Sequence, residues 1–182
     1  KGLFRNFGGF LRDIIKQDYE SVKMRTLVMF NRRKDPFDTF DFILSTSEKY
    51  HTELLFFILF ADYDNYDKNI SYNSLYFQQL IKHLADYYKV GIHPSYASME
   101  QPQKLTAEIK RLSKVLHKPI VRSRFHFLRF QLPTTYNNLI KNNIDSDFSM
   151  GYSNEYGFRA SICAPFNFYD LETDTETNLV IH

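Results

Sequence analysis

Cysteine is nearly absent from this chain. Cys163 stands alone among 182 residues, so no intrachain disulfide can form and no cysteine-rich zinc site can be built. Tryptophan is missing altogether. Glycine and proline number six each and are scattered, so no linker separates two domains, and no internal repeat is visible. No glycine-rich loop follows any predicted strand, which argues against a dinucleotide site. The motif G-x-S-x-G is also lacking, and with it the nucleophile elbow of serine hydrolases. Charge of one sign is not in excess. The 23 Lys and Arg against 21 Asp and Glu leave +2, with no general pull toward nucleic acid or anionic lipid. The longest apolar run, residues 54–61, falls far short of the roughly 20 residues that cross a bilayer, so no transmembrane segment is expected. No secretory leader pattern is visible, and a cytoplasmic location is the expectation.

What is present suits a globular chain. Hydrophobic residues at 43% are ample for a core, and the length fits one domain over residues 1–182. Aromatics reach 17%, with 18 Phe and 13 Tyr. Most are expected inside, while some tyrosines are available to stack on sugars or bases.

Hydrophobic spacing predicts a helix over 8–30, broken near Asp18, then a basic loop and a second helix over 38–50. The Phe-rich run 54–60 reads as a buried strand. Helices follow over 75–88, 102–117 and 133–143, separated by strands at 90–93 and 120–127. Short extended pieces at 144–150, 157–160, 166–171 and 179–182 close the chain. Alternating strand and helix argue for a parallel sheet covered by helices. The late short strands fit an irregular barrel, and the chain is too short for the ~250 residues of an eight-unit barrel. Residues 1–36 read as an N-terminal helical insertion and 37–182 as the barrel core.

The six histidines fall into two groups. His51 and His117 end predicted helices, where the dipole favours them, and His83 lies on a polar helix face. His93, His126 and His182 instead sit at or near the ends of three predicted strands. Active sites of parallel barrels gather at that rim. Imidazoles with a carboxylate, for which Asp62 is the nearest choice, make a divalent-metal site or a general acid–base pair. Between Arg122 and Phe130, basic and aromatic residues alternate. A strand there puts Arg122, Arg124 and His126 on one face and Phe125 and Phe127 on the other. The same strip suits a single-stranded nucleic acid, although no charge excess elsewhere supports that partner. The basic, apolar stretch 1–12 suits a membrane surface or packing on its own domain. Cys163 has no histidine near it in sequence and reads as a small buried residue.

Several of these segments resemble the polysaccharide deacetylases, carbohydrate esterases with a NodB-homology domain. The segments are Val90-Gly91-Ile92-His93-Pro94-Ser95, Ser123-Arg124-Phe125-His126-Phe127-Leu128, Asp147-Phe148-Ser149-Met150-Gly151-Tyr152, Gly157-Phe158-Arg159-Ala160 and Leu179-Val180-Ile181-His182. The resemblance runs over most of the chain and implies a distorted (β/α) barrel of about seven strands. It also implies a divalent metal, zinc by preference, and removal of acetyl groups from an N-acetylated sugar in a glycan. By the same resemblance His93 is a metal ligand and His182 the general acid. Arg124 orients the base, and Ser95, Tyr96 and Arg159 contact the carbohydrate substrate. The chain also departs from the pattern. Ala97 replaces the second histidine of H-x-x-x-H, and His126 is the substitute ligand offered here. Thr39-Phe40-Asp41 matches the acidic motif only superficially, because Phe42 replaces its second aspartate. That motif is therefore expected upstream of Lys1, with the first strand, and the chain as given is expected to be inactive. A barrel that binds saccharide without turnover is the alternative.

Overall fold

The computed structural model describes residues 2–182, with side chains from Phe7 onward; Lys1 and part of the basic stretch 1–12 lie outside this description. The first of two compact units ends at Thr52, and the second runs from Glu53 to His182. The sequence reading instead starts the core at residue 37.

The first unit is helical. Helix α1 (Gly2–Ile15) and helix α2 (Tyr19–Met29) break at Asp18, as the sequence suggests, because the Asp18 carboxylate caps α2 by accepting the Ser21 N–H at 3.0 Å. Buried Asp13 ties the pair together, accepting from Arg25 Nε at 2.6 Å. That hydrogen bond holds the Asp13 carboxyl below the usual carboxylate range. Helix α3 (Phe40–Tyr50) begins after Thr39, which puts Asp41 in a helical first turn, paired with Lys34, and not at a strand end.

The second unit is built on six strands. Strand β1 (Leu55–Ile58) leads through helix α4 (Leu75–Tyr87) to strand β2 (Lys89–Ile92). Helix α5 (Pro102–Leu116) leads to strand β3 (Arg122–Ser123), and helix α6 (Thr134–Lys141) to strand β4 (Ser146–Asp147). A terminal hairpin joins β5 (Phe166–Asp170) to β6 (Thr175–Ile181). The sheet order is β1-β2-β3-β4-β6-β5, parallel throughout except for the antiparallel β5–β6 pair. The fold is thus mixed α/β with a mostly parallel sheet, β1 and β5 being its edges.

Apolar stripes decide the packing. On α5, Leu105, Ile109, Leu112 and Leu116 recur at helical spacing and are buried, meeting Ile81 of α4, Ile92 of β2, and Leu179 and Ile181 of β6 in one core. Gly91 faces a tight space. A Cβ there would stand 2.8 Å from the Arg122 carbonyl oxygen and 2.8 Å from the Phe57 ring, so glycine lets the Phe57 ring lie across β2. The aromatic content is less internal than the composition suggests. Phe60, Phe125, Phe168 and Tyr136 are buried, but Phe37, Phe42, Phe127 and Phe158 are mostly exposed. Cys163 is likewise exposed, contrary to the buried placement expected of it. Among the described residues no helix is long and apolar enough to cross a membrane.

Candidate functional site at the carboxyl rim of the parallel strands

Parallel strands end together, so the residues that follow them share one rim. The hydrogen-bond ladder continues one step past the strand ends. His93 N–H donates to Ile58 O at 2.9 Å, Arg124 N–H to Ile92 O at 3.0 Å, Phe148 N–H to Ser123 O at 2.8 Å and His182 N–H to Asp147 O at 2.9 Å. This register places His93, Arg124, Phe148 and His182 side by side along the ends of β2, β3, β4 and β6.

His126 reaches the same rim by another route. The predicted strand over 120–127 stops at Ser123, because the Phe125 N–H is taken by the Ser149 hydroxyl at 2.8 Å and the Phe125 ring enters the core. The chain then turns through a short 3-10 helix at His126–Leu128. The alternation expected for this strip therefore fails: Phe125 is buried while Phe127 is exposed. The turn brings the His126 ring within 5.0 Å of the His93 ring, centroid to centroid.

Both rings are anchored through Nδ1. His93 Nδ1 lies 2.5 Å from the Arg124 carbonyl oxygen, which can only accept, so the proton sits on Nδ1 and the Nε2 lone pair is free. His126 Nδ1 lies 2.9 Å from Asp67 Oδ1, which fixes the same tautomer. Burial, the largest cause, pushes the His93 pKa down to about 4; the Arg124 carbonyl opposes this and the neighbouring His126 adds to it. A neutral imidazole with its outer nitrogen free is the form that binds a metal ion.

Asp67 is the residue sequence reasoning missed. Its side chain is only 2% exposed. It accepts the Tyr96 N–H at 3.0 Å in addition to the His126 N–H, so one carboxylate sets both the loop after β2 and the imidazole. Asp62, the carboxylate offered by the sequence, is turned instead to Arg111, 3.1 Å away.

The other predicted residues are placed as follows. Ser95 is 2% exposed, and its hydroxyl donates to buried Glu108 at 2.6 Å. The hydroxyl thus answers a carboxylate on α5 that burial would otherwise leave without donors, and burial still raises the Glu108 pKa. Tyr96 is half-buried, with its ring on the rim. Arg159 lies in the loop before β5, where its guanidinium stacks 4.3 Å from the Phe130 ring centroid and donates to Leu128 O at 3.3 Å, bracing the turn that carries His126. Arg124 is exposed, and its Nη1 donates to Phe148 O at 2.8 Å. The exposed His182 ring stacks flat on Phe148, with centroids 4.1 Å apart and planes 4° apart; burial against that ring, then nearby Arg122, lowers its pKa. Ala97 sits within a short 3-10 helix, Tyr96–Met99, so His126 and not residue 97 stands opposite His93.

Fold and site together define a mixed α/β domain whose parallel strands deliver three histidines and an arginine to one rim, two of the imidazoles paired with free outer nitrogens. No protein-family model matches the chain, and neither does any curated protein. Among the described residues no cluster of three or more His, Cys, Asp or Glu is arranged to hold a metal ion. The histidine pair suits a divalent cation in tautomer and charge but supplies two donors only, fewer than the three protein ligands usual in a catalytic zinc site.

Proposed function

We propose that this chain carries a polysaccharide-deacetylase-like site, a (β/α) barrel rim that removes acetyl groups from an N-acetylated sugar with the help of a divalent metal, zinc by preference. The observation that carries the reading is the pair His93 and His126, each held by Nδ1 with Nε2 free, at the strand ends where the resemblance puts the metal histidine. In this reading His93 and His126 would hold the cation, which would supply Lewis acidity toward an amide carbonyl. His182, stacked on Phe148, is the proton donor to the leaving amine, and Arg124 positions the base. The resemblance calls for an acidic motif as the remaining ligand and base, and β1, at one end of the sheet order, is where a further strand of a barrel would stand.

Zinc titration by calorimetry tests this reading. One-to-one binding is expected, and His93→Ala and His126→Ala should each abolish it. Binding that survives both substitutions overturns the reading.

One observation favours a second reading. Two donors only among the described residues, with Ala97 in place of a further histidine, suit a barrel that binds saccharide without turnover. Acetate release by any zinc-loaded form of the protein, lost on His182→Ala, would dismiss it.

A further inference from the structure

Beside the histidine pair stands a group of rings that the chemistry above does not use. Tyr66 and Phe127 are 56% and 57% exposed, yet they are held in a defined arrangement. Tyr66 stacks on Tyr96, with centroids 4.1 Å apart and planes 22° apart. The Phe127 ring is perpendicular to both, at 89°, with its centroid 6.2 Å from Tyr66 and 5.7 Å from Tyr96. It also leans on the His126 ring, 4.3 Å away. The Arg129 guanidinium lies 4.0 Å over the Tyr96 ring and is held by Glu100 at 2.8 Å. Tyr66 already occupies one face of Tyr96, so Arg129 takes the other. Tyr96 is thus clamped from both sides, and Phe127, upright beside the edges of the stacked pair and nearer to Tyr96, makes with it a right-angled corner that ends on His126.

The backbone is committed to this corner. Phe127 and Leu128 have φ of +58° and +52°, in the left-handed region. Such a conformation is unfavourable for a non-glycine residue, by about 1 kcal/mol or more each. Burial of the Phe127 ring does not offset that, because most of the ring is in water. The turn is closed by the Leu128 N–H on Phe125 O at 3.0 Å and the Arg129 N–H on His126 O at 3.3 Å, and Arg159 on Leu128 O braces it from outside. An exposed ring, fixed by strained backbone against a candidate metal-binding imidazole, is placed where a ligand covers it.

We propose that Tyr66 and Phe127 form a saccharide-stacking subsite that receives the C–H face of a pyranose ring next to the histidine pair. A pyranose has an apolar face and a hydroxyl rim, which fits a corner of exposed aromatic rings set at right angles beside an imidazole. This subsite rests on the deacetylase-like reading, since that reading supplies the sugar.

The test is a calorimetric titration with tetra-N-acetylchitotetraose, using the unaltered chain, Tyr66→Ala, Phe127→Ala and Tyr66→Phe, with zinc binding measured in parallel. Both rings are exposed, so the alanine variants should keep the native circular dichroism and melting profile. Saccharide affinity should fall at least fivefold in each alanine variant and persist in Tyr66→Phe, with zinc binding by Tyr66→Ala unchanged. Saccharide binding that is equal in all four chains overturns the subsite while leaving the deacetylase-like reading intact. No saccharide binding by the unaltered chain, with or without zinc, overturns both. Binding of a single-stranded oligonucleotide at low salt in place of the saccharide, weakened by the same substitutions, also overturns the proposal and assigns the corner to base stacking.

Discussion

At the scale of single residues, the site depends on which nitrogen of His126 carries the proton, and Asp67 decides that. A carboxylate only accepts, so it holds the proton on Nδ1 and leaves Nε2 with a lone pair. Asp67→Ala removes that acceptor. Oδ1 takes both the His126 N–H and the Tyr96 N–H, so alanine leaves the two donors without it. The imidazole is then free to turn and to carry its proton on Nε2, where it blocks coordination. Zinc affinity should fall about 10- to 100-fold, the range usual for losing such an outer partner. Unchanged zinc affinity in the folded variant would remove Asp67 from the site. Asp67 could not be picked out of the sequence. It lies in a polar run with Asp62 and Asp64, and nothing in spacing or composition separates the three. Only the path of the chain after β1 buries one of them against a histidine 59 positions away.

At the scale of elements, legibility follows length and periodicity. Helices α4 and α5 lie within a residue of their predicted bounds, because their apolar stripes repeat over three to four turns. The strands β3 and β4 are two residues long and carry no period of their own. Their positions are dictated by the neighbours they pair with, so the predicted strand over 120–127 ran past its end. His93 was legible as a rim residue because it directly follows a strand bounded by helices, whereas His126 arrives by a turn that no pattern announces. Packing between elements also turns on one small residue. Gly91 lets the Phe57 ring and the Arg122 carbonyl both approach β2 within 2.8 Å of where a Cβ would sit. One of these neighbours is backbone and cannot swing aside. Gly91→Ala should therefore cost about 1–3 kcal/mol in urea unfolding, and it should weaken zinc binding as well, since His93 lies two residues on. An alanine variant of unaltered stability would show that the sheet relaxes freely at this point.

At the scale of the whole molecule, stability should respond to pH through two groups of opposite sign, buried Asp147 and half-buried His93. Asp147 is fully buried between β3 and β6, accepting from Ser123 Oγ at 2.6 Å, Ser149 Oγ at 3.0 Å and the Ser149 N–H at 2.9 Å. These donors and Arg124 favour the carboxylate, but burial outweighs them and pushes its pKa from 3.8 up to about 6. Between those two values the folded chain holds a proton that the unfolded chain has released. This group therefore makes the fold more stable as pH falls through 6, and the gain is complete below 3.8. His93 runs the other way. With a folded pKa of about 4 against 6.5, it contributes stability above pH 6.5 that is lost as pH falls toward 4. The two contributions oppose each other across the same window, so the unaltered chain should show a muted pH dependence that hides both. Asp147→Asn separates them. The amide keeps one acceptor oxygen and cannot titrate, so only the acid-labile contribution of His93 remains of the two. The stability difference between the unaltered chain and the variant, from urea unfolding at a series of pH values, should grow as pH is lowered from 7 to 5. Its slope is bounded by about 1.4 kcal/mol per pH unit for a single proton. A difference constant over that range would mean that Asp147 stays ionised in the folded chain below pH 5, whereas the full slope sustained up to pH 7 would mean that it is still protonated there. Carbon-13 titration of the Asp147 carboxyl tells these two cases apart.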